Sequence, residues 1–343
     1  MGCRSALPGC HGQHGRAGAS PVTSEPATPG CVQRRVNFST GALWDAFISV
    51  RPEVWRFEIP LPLLDPAPLA EVSAYDWAAI VRSDLVLDAE DAQAGFFARV
   101  EQALGQGPGF ALLSRIPVET LSFREARLLH IIMAKRFGRL RPQDVSGSYL
   151  CDVVDPDMPG HMQSDEQVAL GRRWNDLPCH TDHAFGRDPP RRLAFLCFRA
   201  AEAGGAVRLA SAATLLARVA KMAPSLVEDL RRPVPFDVTR QIDPADEALD
   251  AVAILDSDAD GTRLRYLYHQ IAYARLDPRQ RAAVGALEMA LAEPGLIAEL
   301  MPSPGDTLLI NNGIVLHGRG AYRNRQVPPT PRHPLQLAPA AWQ

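Results

Sequence analysis

Short strand-like runs that do not alternate regularly with helices set the strongest limit on how this chain can fold. They occur at Gly109–Leu113, Leu193–Phe198, 206–210, Leu264–Tyr268 and Thr307–Ile310. Between them, residues 92–104, 122–137, 212–230 and 278–291 carry apolar side chains at helical spacing. A doubly wound sheet needs strand and helix to follow one another in succession, and here they do not. Short, remote strands interrupted by helices fit a mixed α/β chain with a mainly β core. The architecture expected is a double-stranded β-helix (jelly-roll, cupin-like) barrel wrapped by helices. Gly204-Gly205 and Gly305-Asp306 read as tight turns feeding two of the strands.

A chain of 343 residues can bury a large core, and 46% hydrophobic with 22% charged residues is ordinary for a globular protein. The net charge of -3 gives no basic footprint for nucleic acid and no polybasic surface for anionic lipid. No apolar run reaches the roughly 18 residues of a membrane span, and the N-terminus lacks a signal-peptide core. The expected setting is therefore cytoplasmic, with a small-molecule substrate, no nucleic acid and no membrane; a homo-oligomer is compatible with this composition. Six scattered cysteines do not make a disulfide scaffold, and Cys151 and Cys197 read as packing residues.

Residues 1–36 are rich in Gly, Pro, Ala and Ser, a composition that cannot offset the entropy of ordering, so a disordered tail is expected there. A single domain with helical insertions is expected over 37–324. Residues 325–343 crowd Pro328, Pro329, Pro331, Pro334 and Pro339 together and read as an atypical tail without a closing strand.

The chemistry is concentrated in His180-Thr181-Asp182, the only His-x-Asp/Glu in the chain, and in the distant His317. On an extended segment, residues i and i+2 point to the same side. His180 and Asp182 can thus bind one metal ion together while Thr181 faces away, and His183 projects to the opposite side. Two imidazoles and a carboxylate on one face of an octahedral ion leave three positions open, the arrangement of non-haem Fe(II) oxygenases. A hydrolytic zinc centre could use the same three ligands, but no Glu motif of a zinc hydrolase accompanies them.

At these residues the chain resembles the TauD/TfdA family of Fe(II)/2-oxoglutarate-dependent dioxygenases. The matching pieces stand in family order. Gly109-Phe110-Ala111-Leu112-Leu113 comes first, then His180-Thr181-Asp182 with Pro189-Pro190. Leu196-Cys197-Phe198-Arg199-Ala200 leads to Gly204-Gly205, and Gly305-Asp306 runs through to His317-Gly318-Arg319.

The resemblance implies a domain of oxygenase type that uses Fe(II), 2-oxoglutarate and O₂. It implies His180, Asp182 and His317 as the iron ligands and catalytic centre. It also implies an Arg after the last His that pairs with the far carboxylate of 2-oxoglutarate; Arg332 takes that place, with Arg323 and Arg325 as substitutes. Two positions depart from the pattern: Gln336 stands where a second Arg is common, and Val207 where Thr or Ser often follows Gly-Gly. Asp182 itself implies hydroxylation or desaturation, because related halogenases lack the carboxylate. The substrate implied is a small polar metabolite, an amino acid either free or carrier-bound, in specialised metabolism. The alternative is a non-catalytic or weakly active pseudoenzyme of the same fold with an impaired 2-oxoglutarate site.

Overall fold

The computed structural model describes residues 38–64, 77–82, 91–142, 149–150, 176–237, 251–258, 261–323 and 338–342. These residues fall within one compact unit, Asn37–Gln343.

Two sheets form the core. The larger is built from β1 (Arg56–Glu58), β2 (Phe110–Ser114), β4 (Arg192–Leu196), β7 (Thr307–Asn311) and β9 (Ala338–Trp342). The smaller takes β3 (Leu177–His180), β5 (Val207–Ser211), β6 (Ala298–Leu300) and β8 (Val315–Arg319). Their spatial orders are β1-β2-β7-β4-β9 and β6-β5-β8-β3, antiparallel throughout except for the parallel β1–β2 pair. Consecutive strands β7 and β8 lie in different sheets, which is how a roll passes its chain from one sheet to the other. The sheet-rich core agrees with the expected architecture, as two separate sheets rather than a closed barrel.

Alternation along the strands explains why the large sheet reads as continuous apolar runs. Ala111, Leu113, Ala194, Leu196 and Leu309 face a cluster with Phe96, Val100 and Leu104 of α1 (Asp91–Gly105) and Leu128, Ile131 and Ile132 of α2 (Phe123–Lys135). Phe110, Leu112, Leu193, Leu308 and Ile310 point the other way, onto Val207, Leu209, Leu300 and Val315 of the small sheet. A sheet covered on both faces has no polar side to display. At the centre of the inter-sheet cluster, the fully buried Phe110 ring lies 5.4 Å from Trp44 and 5.9 Å from Trp55.

The helices start where the sequence supplies a cap. Ser122 and Glu125 form a reciprocal capping box on α2. Three further helices, α3 (Ala212–Met222), α4 (Pro224–Asp229) and α5 (Pro278–Leu291), pack on one another. Ser211 caps α3, and Asp277 with Gln280 caps α5 ahead of Pro278. Gly305 has φ +88°, and a Cβ there would collide with the Ile116 carbonyl oxygen, so the turn into β7 requires glycine.

Two expectations change. The strand expected over Leu264–Tyr268 occupies Gly261–Leu264 instead. Beyond it, the Tyr266 N–H donates to the Thr181 hydroxyl rather than to a ladder partner, and a 3₁₀ turn follows at Tyr268–Gln270. The C-terminal segment, expected to lack a closing strand, supplies β9, paired with β4 at the sheet edge, where Pro339 is tolerated. Cys197 is buried, as is Cys179, and burial pushes both thiols up to about 12; Cys151 lies outside the described residues.

Phe110→Ala removes a fully buried ring from the cluster between the two sheets. Its cost should be about 3–5 kcal/mol, read as a lowered urea midpoint at unchanged slope. A loss below 1 kcal/mol would mean that the inter-sheet cluster is not packed as described.

Candidate metal centre

The small sheet positions the histidines. His180 ends β3, and its partner directly across the antiparallel pair is His317 of β8. Opposed residues present their side chains on the same face, and the two rings lie 4.5 Å apart, centre to centre. The register shifts between His317 and Arg319, where β3 uses one residue more than β8; Pro178, which has no N–H for the ladder, sits in that bulge. The bulge also brings the Pro178 carbonyl to 2.9 Å from His180 Nδ1. A carbonyl only accepts, so Nδ1 carries a proton, and Nε2 is the nitrogen turned toward the centre.

Asp182 completes the group. Its Oδ1 lies 3.1 Å from His180 Nε2 and 3.6 Å from His317 Nε2. One candidate ligand atom from each of the three residues lies within 4.8 Å of the others, and among the described residues this is the one such group that could hold a metal ion. Two ligands at right angles, each about 2.1 Å from an ion, stand about 3 Å apart, so the spacing suits adjacent corners of one coordination sphere. The imidazole side chains are 8% exposed and the carboxylate 31%, so the centre opens on the Asp182 side.

Electrostatics prepare the donors. Burial pushes the His317 imidazole down to about 4, against the pull of Asp182, which leaves it neutral at neutral pH. Burial also works against a charge on Asp182, but His317 and His180 outweigh it and hold the carboxyl below its usual range. A neutral imidazole and an ionised carboxylate are the forms that bind a divalent ion. The donor set therefore fits ferrous iron.

The loop that carries Asp182 is braced from three directions. Thr181 donates its N–H to the Tyr266 carbonyl at 2.7 Å and accepts the Tyr266 N–H at 2.8 Å, so its side chain faces away from the centre as expected. Asn312 accepts the Asp182 N–H at 2.9 Å and donates to the Asp182 carbonyl at 3.0 Å. Arg265, buried, donates to the Ala184 carbonyl at 2.9 Å and to the Gly186 carbonyl. Phe195 of the large sheet closes the inner side, 5.3 Å from His317.

His180, Asp182 and His317 are thus brought together, and His183 is not among them. His183 takes φ 52°, and its ring lies 6.1 Å from Phe185. Arg319 is buried with its guanidinium 4.5 Å above the Tyr322 ring. Arg323 is exposed, and Val207 packs in the apolar core between the sheets. Arg332, Arg325 and Gln336 lie outside the described residues. The sequence did not reveal Asn312, Arg265 or Tyr266. Asn312 stood in an Asn-Asn-Gly stretch that signals only a turn, and its partner lies 130 residues away.

Titration with Co(II) tests the grouping without turnover. His180→Ala, Asp182→Ala and His317→Ala should each weaken binding by more than about 100-fold, since changes behind the ligands alone cost about 10–100-fold. His183→Ala should leave it unchanged. Equal losses for His183→Ala and His180→Ala would overturn the assignment.

Comparison with known proteins agrees with this geometry. The sequence matches the family model described as "Taurine catabolism dioxygenase TauD, TfdA family" over residues 68–337. FR-33289 synthase of Streptomyces rubellomurinus (strain ATCC 31215) is 26% identical over 248 residues, 69% of this chain and 70% of that protein. Among solved structures, the non-haem iron oxygenase OrfP with Fe and alpha-ketoglutaric acid superposes with a TM-score of 0.61 at 16% identity, covering 84% of this chain and 93% of OrfP. Asparagine oxygenase with Fe(II), 2S,3S-3-hydroxyasparagine and succinate gives 0.54 at 16% identity, covering 84% and 93%. With most of its length matched by the family model, the chain belongs to the TauD/TfdA dioxygenase family.

Proposed function

We propose that this chain hydroxylates a small polar metabolite, an amino acid free or carrier-bound, at a ferrous centre held by His180, Asp182 and His317. The observation that carries the proposal is the convergence of two imidazoles and one carboxylate in one group, the two histidines facing each other across β3 and β8. The family is one of non-haem Fe(II)/2-oxoglutarate oxygenases, so the cofactors are Fe(II), 2-oxoglutarate and O₂. Ferrous iron with 2-oxoglutarate supplies the activation of O₂ that lets an unactivated C–H bond be oxidised.

This chain's residues supply the rest. Nε2 of His180 and Nε2 of His317 would hold the ion from the sheet side, and Asp182 from the loop side. Three ligands on one face leave the remaining positions for the co-substrate and O₂. Phe195, whose ring lies 5.3 Å from His317, would give that side of the centre an apolar wall. An intact Asp182 carboxylate keeps halide from that position, which favours hydroxylation or desaturation over halogenation. The amino-acid class is supported by similarity to the structures of an asparagine oxygenase with 2S,3S-3-hydroxyasparagine and of OrfP with (3S)-hydroxy-L-Arg. Arg332 is proposed as the partner of the far carboxylate of 2-oxoglutarate, its planar fork being suited to a bidentate pair.

One observation favours a second reading. Val207 is buried in the apolar core and offers no hydroxyl to the co-substrate, as a weakly active pseudoenzyme would show.

Fe(II)-loaded protein, incubated with 2-oxoglutarate, O₂ and a panel of amino acids, should release succinate in step with a product heavier by one oxygen atom. Arg332→Ala should raise the 2-oxoglutarate KM without changing Co(II) affinity. Metal-loaded protein that forms no succinate above the protein-free control with any panel member would favour the pseudoenzyme.

A further inference from the structure

Three hydrogen bonds converge on one buried carboxamide beside the centre. Asn312 is 2% exposed. Its Oδ1 accepts the Asp182 N–H at 2.9 Å, and its Nδ2 donates to the Asp182 carbonyl at 3.0 Å and to the Pro190 carbonyl at 2.9 Å. Both amide hydrogens are thereby used, and the oxygen is engaged. The backbone of Asn312 is itself fixed, its N–H donating to the Arg191 carbonyl at 2.9 Å just ahead of β4. Asn312 lies in the turn between β7 and β8, and β8 carries His317. One turn therefore governs two of the three ligands: His317 through the strand that follows, and Asp182 through a side chain.

We propose that Asn312 is a positioning residue whose carboxamide fixes the peptide units on both sides of Asp182 and so directs its carboxylate at the two imidazoles. The inference rests on the reading that His180, Asp182 and His317 hold the metal. Asp182 lies past the end of β3, with no ladder to fix its backbone, and its side chain is the most exposed of the three. Without a clamp, rotation about its backbone would swing the carboxylate away from Nε2 of either histidine. The carboxamide accepts from the N–H of Asp182, donates to the carbonyl of the same residue, and has a second amide hydrogen for the Pro190 carbonyl. A carboxylate would set an oxygen against two carbonyls, and a methyl group would leave all three backbone groups unpaired in a buried place.

Asn311 provides the control. It ends β7 next to that turn, donates to the Leu104 carbonyl at 3.1 Å and accepts the Gly313 N–H at 3.2 Å. It can lower stability without reaching Asp182. Co(II) is titrated into purified full-length wild type, Asn312→Ala, Asn312→Asp, Asn311→Ala and His180→Ala, and the Tm of each metal-free protein is recorded. The expected result is a dissociation constant raised about 10–100-fold in both Asn312 variants, with an altered Co(II) d–d spectrum. Asn311→Ala should bind as wild type does, even where its Tm falls as far. Asn312→Asp keeps the measurement open where Asn312→Ala is too unstable to purify. Asn312 variants that bind Co(II) like wild type, or an equal loss in Asn311→Ala, would overturn the clamp. The ligand reading fails separately, by wild type that does not bind Co(II) or by His180→Ala that binds as tightly as wild type.

Discussion

The pairing of His180 with His317 across two antiparallel strands is the constraint on which the site depends. A strand face repeats every two residues, so a slip of one residue in β3 or β8 would send one imidazole to the far side of the small sheet. The register is secured at a distance from the metal centre: Val315, Leu209 and Val207 pack against the large sheet through Phe110, Leu112 and Ile310. The apolar patterning that makes the fold thus also sets the direction of both imidazoles. The local departure is the bulge at Pro178, which gives the His180 ring a carbonyl for Nδ1 while Nε2 stays turned toward Asp182.

The Asp182 carboxylate is held by other means. β3 ends at His180, and the chain through Thr181, Asp182 and Ala184 has no neighbouring strand to satisfy its backbone. Side chains and an irregular segment take over: Thr181 with Tyr266, Asn312 with Asp182, and Arg265 with Ala184 and Gly186. Buried backbone groups must find partners, and here the partners come from sequence positions far removed from the loop. The centre therefore joins a ladder-fixed half to a half fixed by polar side chains, and the second half is where geometry can be lost without unfolding the sheets.

This division explains what the sequence could and could not show. Helical spacing revealed α1, α2 and α5, and short continuous apolar runs revealed β2, β4 and β7, because burial on both faces leaves a signal in hydrophobicity. The candidate pair His180 and Asp182 was legible because His-x-Asp on extended chain places two donors on one side, and the family resemblance implied His317 as the third member. Leu264–Tyr268 misled because its alternation is the same whether its N–H groups meet a strand or the Thr181 hydroxyl. The strand Ala338–Trp342 was hidden by Pro339, which argues against a central strand but not against an edge. Asn312 and Arg265 carried no pattern at all, since an Asn in a turn and an Arg after a strand are ordinary in composition and acquire a role only from contacts across the fold.

Arg265 shows how much the loop is worth to the structure. A guanidinium 6% exposed carries a desolvation cost, and burial pulls its pKa down to about 10 despite Asp256 at 3.7 Å. Charge pairing at that distance does not offset the removal of a cation from water. The return is geometric: a planar fork reaches two carbonyls, at Ala184 and Gly186, from one rigid group. A lysine would carry the same charge as a single point on a flexible stem and could not fix both carbonyls at set angles. A fold shaped by stability alone would fill this place with an aliphatic side chain and let the loop find its own course. The buried cation is intelligible as the support of a carboxylate that must stay aimed at two imidazoles a few ångströms away.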